Sequence, residues 1–269
     1  MRQKLVLIDG HSILNRAFYG VPDLSNSQGL HTNAVYGFLN IMFKIVEEEK
    51  PDYLTVAFDV HAPTFRHEIY KEYKGTRKPM PEELREQVPV MKQMLRAMGI
   101  CIVEKAGLEA DDILGTIAKR GEREGMEVAL VSGDRDLLQV ASKHIKIRIP
   151  KTRGGRTEIE DYYAKDVEAR YQVTPQQFID LKALMGDTAD NIPGVPKVGE
   201  KTATDLMVRF GSLEGIYEHI EEVTKKAVKE SLLCNRELAD LSRTLATINV
   251  TSEIAYSFDD AKVGSFYTE

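Results

Sequence analysis

The chain contains no apolar run of membrane-spanning length, no low-complexity tract and no array of internal repeats. A helical membrane protein, a disordered linker and a solenoid are therefore not expected. Cysteine is scarce: Cys101 and Cys234 are the only two, and they lie far apart. That excludes a disulfide scaffold or a paired-cysteine zinc site and reads as reduced thiols in a cytoplasmic protein. The six histidines form no cluster with cysteine. The basic start leads straight into a strand-length apolar run, too short for a signal peptide, and no small-residue cleavage site follows.

What remains is 269 residues with 42% hydrophobic and 29% charged content, an ordinary globular composition large enough for a sizeable core. The net charge of -6 counts slightly against a nucleic-acid binder when read as a sum. Distribution matters more, because an acidic metal site would distort that sum.

The stretch GLEADD organises the chain. It sets Glu109, Asp111 and Asp112 beside one another just before an apolar helical pattern. Carboxylates this close repel one another. A helix N-terminus relieves some of the strain, and a divalent cation relieves far more. A solvated acidic helix cap and a metal site are both open at this point.

Strand-like runs at Lys4–Ile8, Tyr53–Phe58, Ile100–Val103, Glu127–Val131 and Ile145–Ile149 alternate with helical patterns. These include a helix from about Ala34 to Glu49, capped by Thr32 or Asn33, and a long one from about Pro81 to Met98. Arg153 to Arg156 reads as a hairpin turn. The order predicts an α/β fold, a mainly parallel sheet with helices on both faces. Ligands of such sheets bind outside the carboxyl ends of the strands. Asp9, Asp59, GLEADD and the pair Asp134 and Asp136 all fall at or just after such ends, so they should converge. Asp187 and Asp190 follow in a helical second half, where residues 221–248 are amphipathic and residues 249–269 hold a candidate strand.

All-oxygen ligation without histidine or cysteine suits Mg²⁺ or Mn²⁺ rather than zinc. Two such ions would favour hydrolysis at phosphorus. Each carboxylate also has a plainer reading as a helix cap or turn former. Between 64 and 81, Arg66, Lys71, Lys74, Arg77 and Lys78 interleave with Tyr70 and Tyr73, which suits a single-stranded nucleic acid. Lys74 and Arg77 are also candidates to neutralise charge on a scissile phosphate. A solvated helix face is the alternative. Gly194-Val195-Pro196-Lys197-Val198-Gly199, flanked by helices and followed by Lys201 and Thr202, offers backbone N–H groups to a phosphate.

The motifs LVLIDGHSILNRAF, LHTNAVYGF, VAFDVHAPTFRHEIYKEYKGTRKPMPEEL, LEADDILGTIA, VSGDRDLLQV, LMGDTADNIPGVPKVGEKTA and FGSLEGIY cover nearly the whole chain. Together they resemble the 5′-nuclease domains of bacterial DNA polymerases I, of the flap endonuclease family. The resemblance implies a PIN-like catalytic domain over 1–172 with a helical arch at about 64–98. It implies a helical region over 173–269 with a helix-hairpin-helix at about 191–205. It also implies two divalent ions, Mg²⁺ or Mn²⁺, and a K⁺ at the hairpin. Asp9, Asp59, Glu109, Asp111 and Asp112 would surround the first ion, and Asp134, Asp136, Asp187 and Asp190 the second. Asp9, Asp112, Lys74 and Arg77 would be catalytic. Arg66, Lys71, Tyr73, Lys74, Arg77, Lys78, Gly194, Val195, Lys197, Gly199, Lys201 and Thr202 would meet DNA.

The expected activity is metal-dependent hydrolysis at 5′ flaps and duplex/single-strand junctions, removing flaps and RNA primers in replication and repair. The expected form is a cytoplasmic monomer without membrane contact. The family's domain usually continues past FDDAKVGSFYTE, and a polymerase region then follows, so a piece of a longer protein and a stand-alone nuclease are both open. A junction-binding module that holds metal without cutting and a phosphatase of small esters are the alternative readings. A small ester would need neither the basic stretch nor the hairpin.

Overall fold

A computed structural model describes residues 2–153 and 156–266. Its sheet has six strands in the order β3-β2-β1-β4-β5-β6. They are β1 (Lys4–Asp9), β2 (Tyr53–Ala57), β3 (Cys101–Val103), β4 (Glu127–Val131), β5 (Ile145–Arg153) and β6 (Arg156–Tyr162). All neighbours run parallel except β5 and β6, which pair antiparallel from Ile147↔Tyr162 to Arg153↔Arg156. The turn expected between these two strands falls at Gly154 and Gly155, outside the described residues.

Strand alternation divides the core. Leu5 and Leu7 of β1, with Val128 and Leu130 of β4, join one apolar cluster, and Val6, Ile8, Ala129 and Val131 join the other. Period-two side chains that are buried on both faces require helices on both faces. On one face lie α1 (Gly10–Gly20), α2 (Asn33–Glu49) and α5 (Gln87–Ala97). On the other lies α6 (Ala110–Arg123), and the same cluster continues into the helices after residue 172.

The start of α2 is not capped by Thr32, which makes no side-chain cap bond. Gln87 caps it from a distance. Its buried Oε1 accepts from the Ala34 and Val35 amides at 2.8 and 3.1 Å, and its Nε2 donates to Asn33 Oδ1 at 3.0 Å. Gln87→Leu leaves buried donors unmet and should lower stability by about 2–3 kcal/mol. A denaturant midpoint equal to that of the parent would show that the cap is dispensable.

The helix expected over 81–98 is broken into α4 (Glu82–Arg85) and α5. Pro89 is the cause: it lacks an N–H, and its ring crowds the carbonyl of Arg85, four residues back. The remainder of the expected arch is α3 (Phe65–Ile69) followed by turns. It docks on the second half of the molecule, where the Lys74 amide donates to the Asp190 carbonyl at 2.8 Å and Asn191 Nδ2 to the Glu72 carbonyl at 2.7 Å.

After β6 come α7 (Ala164–Tyr171), α8 (Pro175–Met185), α9 (Glu200–Phe210), α10 (Leu213–Glu218), α11 (Lys226–Cys234) and α12 (Arg236–Ala246). The connection from α8 to α9 is longer than a tight helical turn. Residues 191–199 are not helical, and Asn191, Gly194 and Lys197 are left-handed at φ 55°, 64° and 66°. At Gly194 a Cβ would stand 2.4 Å from the Gly186 amide nitrogen, so no larger residue fits there without moving backbone.

The strand expected after 249 does not form among the described residues. Ile254, Tyr256 and Phe258 alternate toward the core, but β3 already occupies the edge of β2 from Thr55 onward. Among the described residues a single bridge, Tyr53↔Lys262, remains for this segment.

Candidate active site

β1 ends at Asp9 and neighbours β2 on one side and β4 on the other. The connections from β1 leave in one direction and those from β4 in the other, which makes this the switch point of the sheet. Asp9 Oδ1 accepts from the Ser12 amide at 3.0 Å, and Oδ2 accepts from the buried Ser132 hydroxyl at 2.8 Å. Ser132 Oγ also accepts from the Asp134 amide at 3.0 Å, and Ser12 Oγ from the Gly133 amide at 2.8 Å. These bonds lace the ends of β1 and β4 together. Asp59, just past β2, accepts from the Ala110 amide at 2.8 Å and so helps to cap α6.

The carboxylates at this edge resist ionisation. Desolvation, then the charge of Asp59, pushes Asp9 up to about 7, against the bonds from Ser12 and Ser132. Asp111 lies well above the ordinary carboxylate value through desolvation, then Asp134 and Asp9. Asp134 is raised by desolvation as well, and Asp136 reaches about 7 through desolvation and the charge of Asp134. Among the described residues, no ion pair reaches Asp9, Asp111 or Asp134 from Lys or Arg.

A folded state that holds protons on Asp9 and Asp136 up to about pH 7 must surrender them as pH rises, whereas the unfolded chain loses them near 3.8. Stability in EDTA should therefore fall between about pH 4 and pH 7, and Mg²⁺ should flatten that fall. Melting curves across that range, with and without Mg²⁺, check this; parallel pH profiles in the two solutions would refute it.

Four of the other carboxylates, Glu109, Asp136, Asp187 and Asp190, carry resident cations. Lys74 Nζ lies 2.6 Å from Glu109 Oε1 and 3.8 Å from Asp190 Oδ2, and Arg77 pairs with Asp190 Oδ1. Lys182 Nζ lies 2.8 Å from Asp136 Oδ1 and also pairs with Asp187. Among the described residues, no group of three His, Cys, Asp or Glu side chains stands ready to grip a metal as placed.

Several sequence expectations change here. Arg66 does not face nucleic acid. It is buried, with Nη1 and Nη2 donating to Asp112 Oδ2 and Oδ1 at 2.8 and 2.9 Å, and further bonds to the carbonyls of Leu245 and Thr247. Asp112 is fully buried, and its oxygens also accept from the Asn249 and Glu109 amides, so it braces the site and does not line the acidic edge. Tyr73 is no exposed stacking platform. It packs with Ile192, Leu245 and Ala246, and its hydroxyl lies 3.1 Å from Glu109 Oε2 and 3.2 Å from Asp190 Oδ2.

Lys71 and Lys78 are exposed. The Gly194 amide is spent on Ser242 Oγ at 2.9 Å and the Val195 amide on the Leu184 carbonyl at 2.8 Å, so neither is free for a phosphate. Lys197, Gly199 and Lys201 are exposed, Thr202 is half-buried, and α9 begins after its cap residue Gly199 without a side-chain cap.

Sequence reasoning passed over Ser12, Ser132 and Lys182. Ser12 stands three residues after Asp9, a capping spacing that could have flagged it. The Glu109-x-x-Asp112 spacing is likewise a capping box in the structure and marks Asp112 as an internal brace. Nothing in the local spacing marks Lys182.

The doubly covered parallel sheet, with carboxylates at its switch point and a helical region behind it, is of the resolvase-like α/β class. The sequence matches the N-terminal resolvase-like domain of the 5′-3′ exonucleases over residues 4–172 and their C-terminal SAM fold over residues 173–269. The chain belongs to the 5′-3′ exonuclease family. DNA polymerase I of Bacillus caldotenax is 50% identical over 260 residues, covering 97% of this chain and 29% of that protein. The T5 5′-exonuclease with bound divalent metal ions (zinc) has the same fold, at TM-score 0.75 and 24% identity over 92% of this chain and 90% of that one. So does the bacteriophage T5 flap endonuclease in a pseudo-enzyme-product complex with DNA and metal ions, at TM-score 0.72 and 23% identity over 93% and 90%.

Proposed function

We propose that this chain is a divalent-metal-dependent, structure-specific 5′ nuclease that hydrolyses phosphodiesters where a 5′ single strand leaves a duplex. The observation that carries the reading is the group Asp9, Asp111 and Asp134, desolvated, mutually repelling and, among the described residues, without an ion pair from Lys or Arg at the switch point of the sheet. An all-carboxylate donor set of this kind fits Mg²⁺ or Mn²⁺. Asp9, Asp59, Asp111 and Asp134 would hold one ion. Asp136 and Asp187, with Glu109 and Asp190, stand by for a second. A bound divalent ion supplies compensation for charge developing on the phosphoryl group and acidifies water.

The protein's own part is positional. Lys74 and Arg77 now rest on Glu109 and Asp190, at the rim of the acidic edge, and could pass from those carboxylates to a substrate phosphate. Lys71 and Lys78 extend the basic surface toward the single strand. The uncapped start of α9, with Lys197 and Lys201, suits a duplex phosphate. A K⁺ in the turn before α9 goes with the same reading.

The chain spans 29% of the length of its Bacillus caldotenax relative. Removal of flaps and RNA primers beside a polymerase region, in a cytoplasmic monomer, is therefore part of this proposal. Among the described residues no helix is long and apolar enough to cross a membrane.

A non-cleaving junction binder is the second reading, favoured by the cations that already occupy Glu109, Asp190, Asp136 and Asp187. A 5′-labelled flap duplex decides between them. Cutting near the junction with Mg²⁺ and none with EDTA supports the nuclease. Tight binding without cutting in both Mg²⁺ and Mn²⁺ supports the binder.

A further inference from the structure

Lys182 stands among apolar residues of α8. Its neighbours Leu181, Ala183 and Leu184 are all in the core, and its own side chain is only 9% exposed. The ammonium reaches Asp136, which opens the turn after β4, and Asp187, just past the end of α8. One lysine thus bridges a carboxylate of the sheet and a carboxylate of the helical region. Among the described residues, neither carboxylate has another ion-pair partner.

We infer that Lys182 is the resident counter-ion of the Asp136–Asp187 pair and competes with a divalent cation for those carboxylates. The inference rests on the metal-dependent reading above. It makes Lys182 a positioning residue that sets how tightly the second ion is held, not a catalytic one.

The physical argument is mutual exclusion. An ammonium already satisfies Asp136 and Asp187, and removing it would leave two partly buried carboxylates without their counter-ion. A divalent ion brought to the same oxygens would meet a like charge a few ångströms away. By linkage, each cation weakens the other by the same factor. Among the described residues no lysine pairs directly with Asp9, Asp111 or Asp134, and Lys182 and Lys74 act on Asp134 only at a distance, so a first ion should meet less opposition there and a second should bind more weakly. A lysine that were simply a structural tether would make no such distinction.

The test is calorimetric titration with Mn²⁺ alone of the parent chain, Lys182→Met and Lys182→Arg, with melting curves in EDTA and in Mn²⁺. Lys182→Met should bind the weaker ion roughly ten-fold or more tighter, the scale of removing one unit charge at close range in a partly screened site. It should also melt lower in EDTA and regain far more from Mn²⁺ than the parent does. Lys182→Arg should behave like the parent.

A Lys182→Met isotherm equal to or weaker than the parent's overturns the inference while leaving metal dependence standing. No Mn²⁺ binding by any of the three overturns both. If Lys182→Met does not fold in either solution, the parent decides. Its Lys182 ammonium resonance, read with ¹⁵N-lysine labelling, should shift or vanish at saturating Mg²⁺, and an unmoved signal overturns the inference.

Discussion

Replacement of Arg66 by methionine should destabilise the protein by about 3–5 kcal/mol, the usual cost of removing one partner from a buried ion pair. The guanidinium is 2% exposed, binds Asp112 through both outer nitrogens, and lies 3.0 Å from Glu109. Its remaining donors hold the carbonyls of Leu245 and Thr247. Methionine fills part of the volume but leaves the fully buried Asp112 carboxylate without its partner and two carbonyls unmet. Glu109 keeps Lys74 and Tyr73, so the loss falls chiefly on Asp112.

The double change Arg66→Met with Asp112→Leu should recover much of the loss, because it removes the stranded charge together with its partner. Denaturant unfolding of the two single variants and the double variant measures the coupling. Additive losses would mean that the pair does not act as a unit. Surface variants such as Lys71→Ala should change stability by no more than about 0.5 kcal/mol, which separates burial from charge as the cause.

Asp111→Asn should act in two opposite directions. Asp111 is raised by desolvation and by Asp134 and Asp9, and in the folded chain it contributes repulsion. Asparagine removes that repulsion, so the variant should be more stable than the parent in EDTA at neutral pH. If Asp111 holds the divalent ion, single-turnover cleavage of a flap duplex should fall by more than ~10²-fold, beyond what loss of a supporting residue alone costs. Mg²⁺ should also stabilise the variant less than the parent. A variant that is less stable in EDTA, or that cuts at the parental rate, would remove Asp111 from the metal's surroundings. The opposed signs are diagnostic, because a general packing defect lowers stability and activity together.

Much of the fold was legible because buried parallel strands announce themselves. KLVLI and EVALV are short apolar runs ended by turn residues, and the acidic positions after them fall at one edge by topology alone. Local breakers were harder to weigh. Pro89 sits inside an otherwise helical pattern and divides it, and the left-handed residues Asn191 and Lys197 keep the hairpin segment from being helical.

Which charges face solvent was not legible. Arg66, Lys71 and Lys78 belong to one basic stretch, yet Arg66 is buried while the other two are exposed. The difference is made by Asp112, Leu245 and Thr247, and the carbonyls lie at sequence separations of 179 and 181 residues. Lys182 escaped notice partly for the same reason: Asp136 is far away in the chain, and its nearer partner Asp187, five residues on, falls outside the three- and four-residue helical spacings.

Those long separations also bear on how the molecule comes into being. The brace of α6 is completed by Leu245, Thr247 and the Asn249 amide, the last of these 137 residues from Asp112. Contacts that close such long loops form late, because the loop entropy must be overcome before they contribute. On the ribosome, the sheet and its acidic edge emerge well before the segment that locks Arg66 against Asp112. A nascent chain therefore carries an unfastened centre until nearly all of these residues have been made. The order of synthesis itself thus delays a fastened acidic edge until the fold around it is finished.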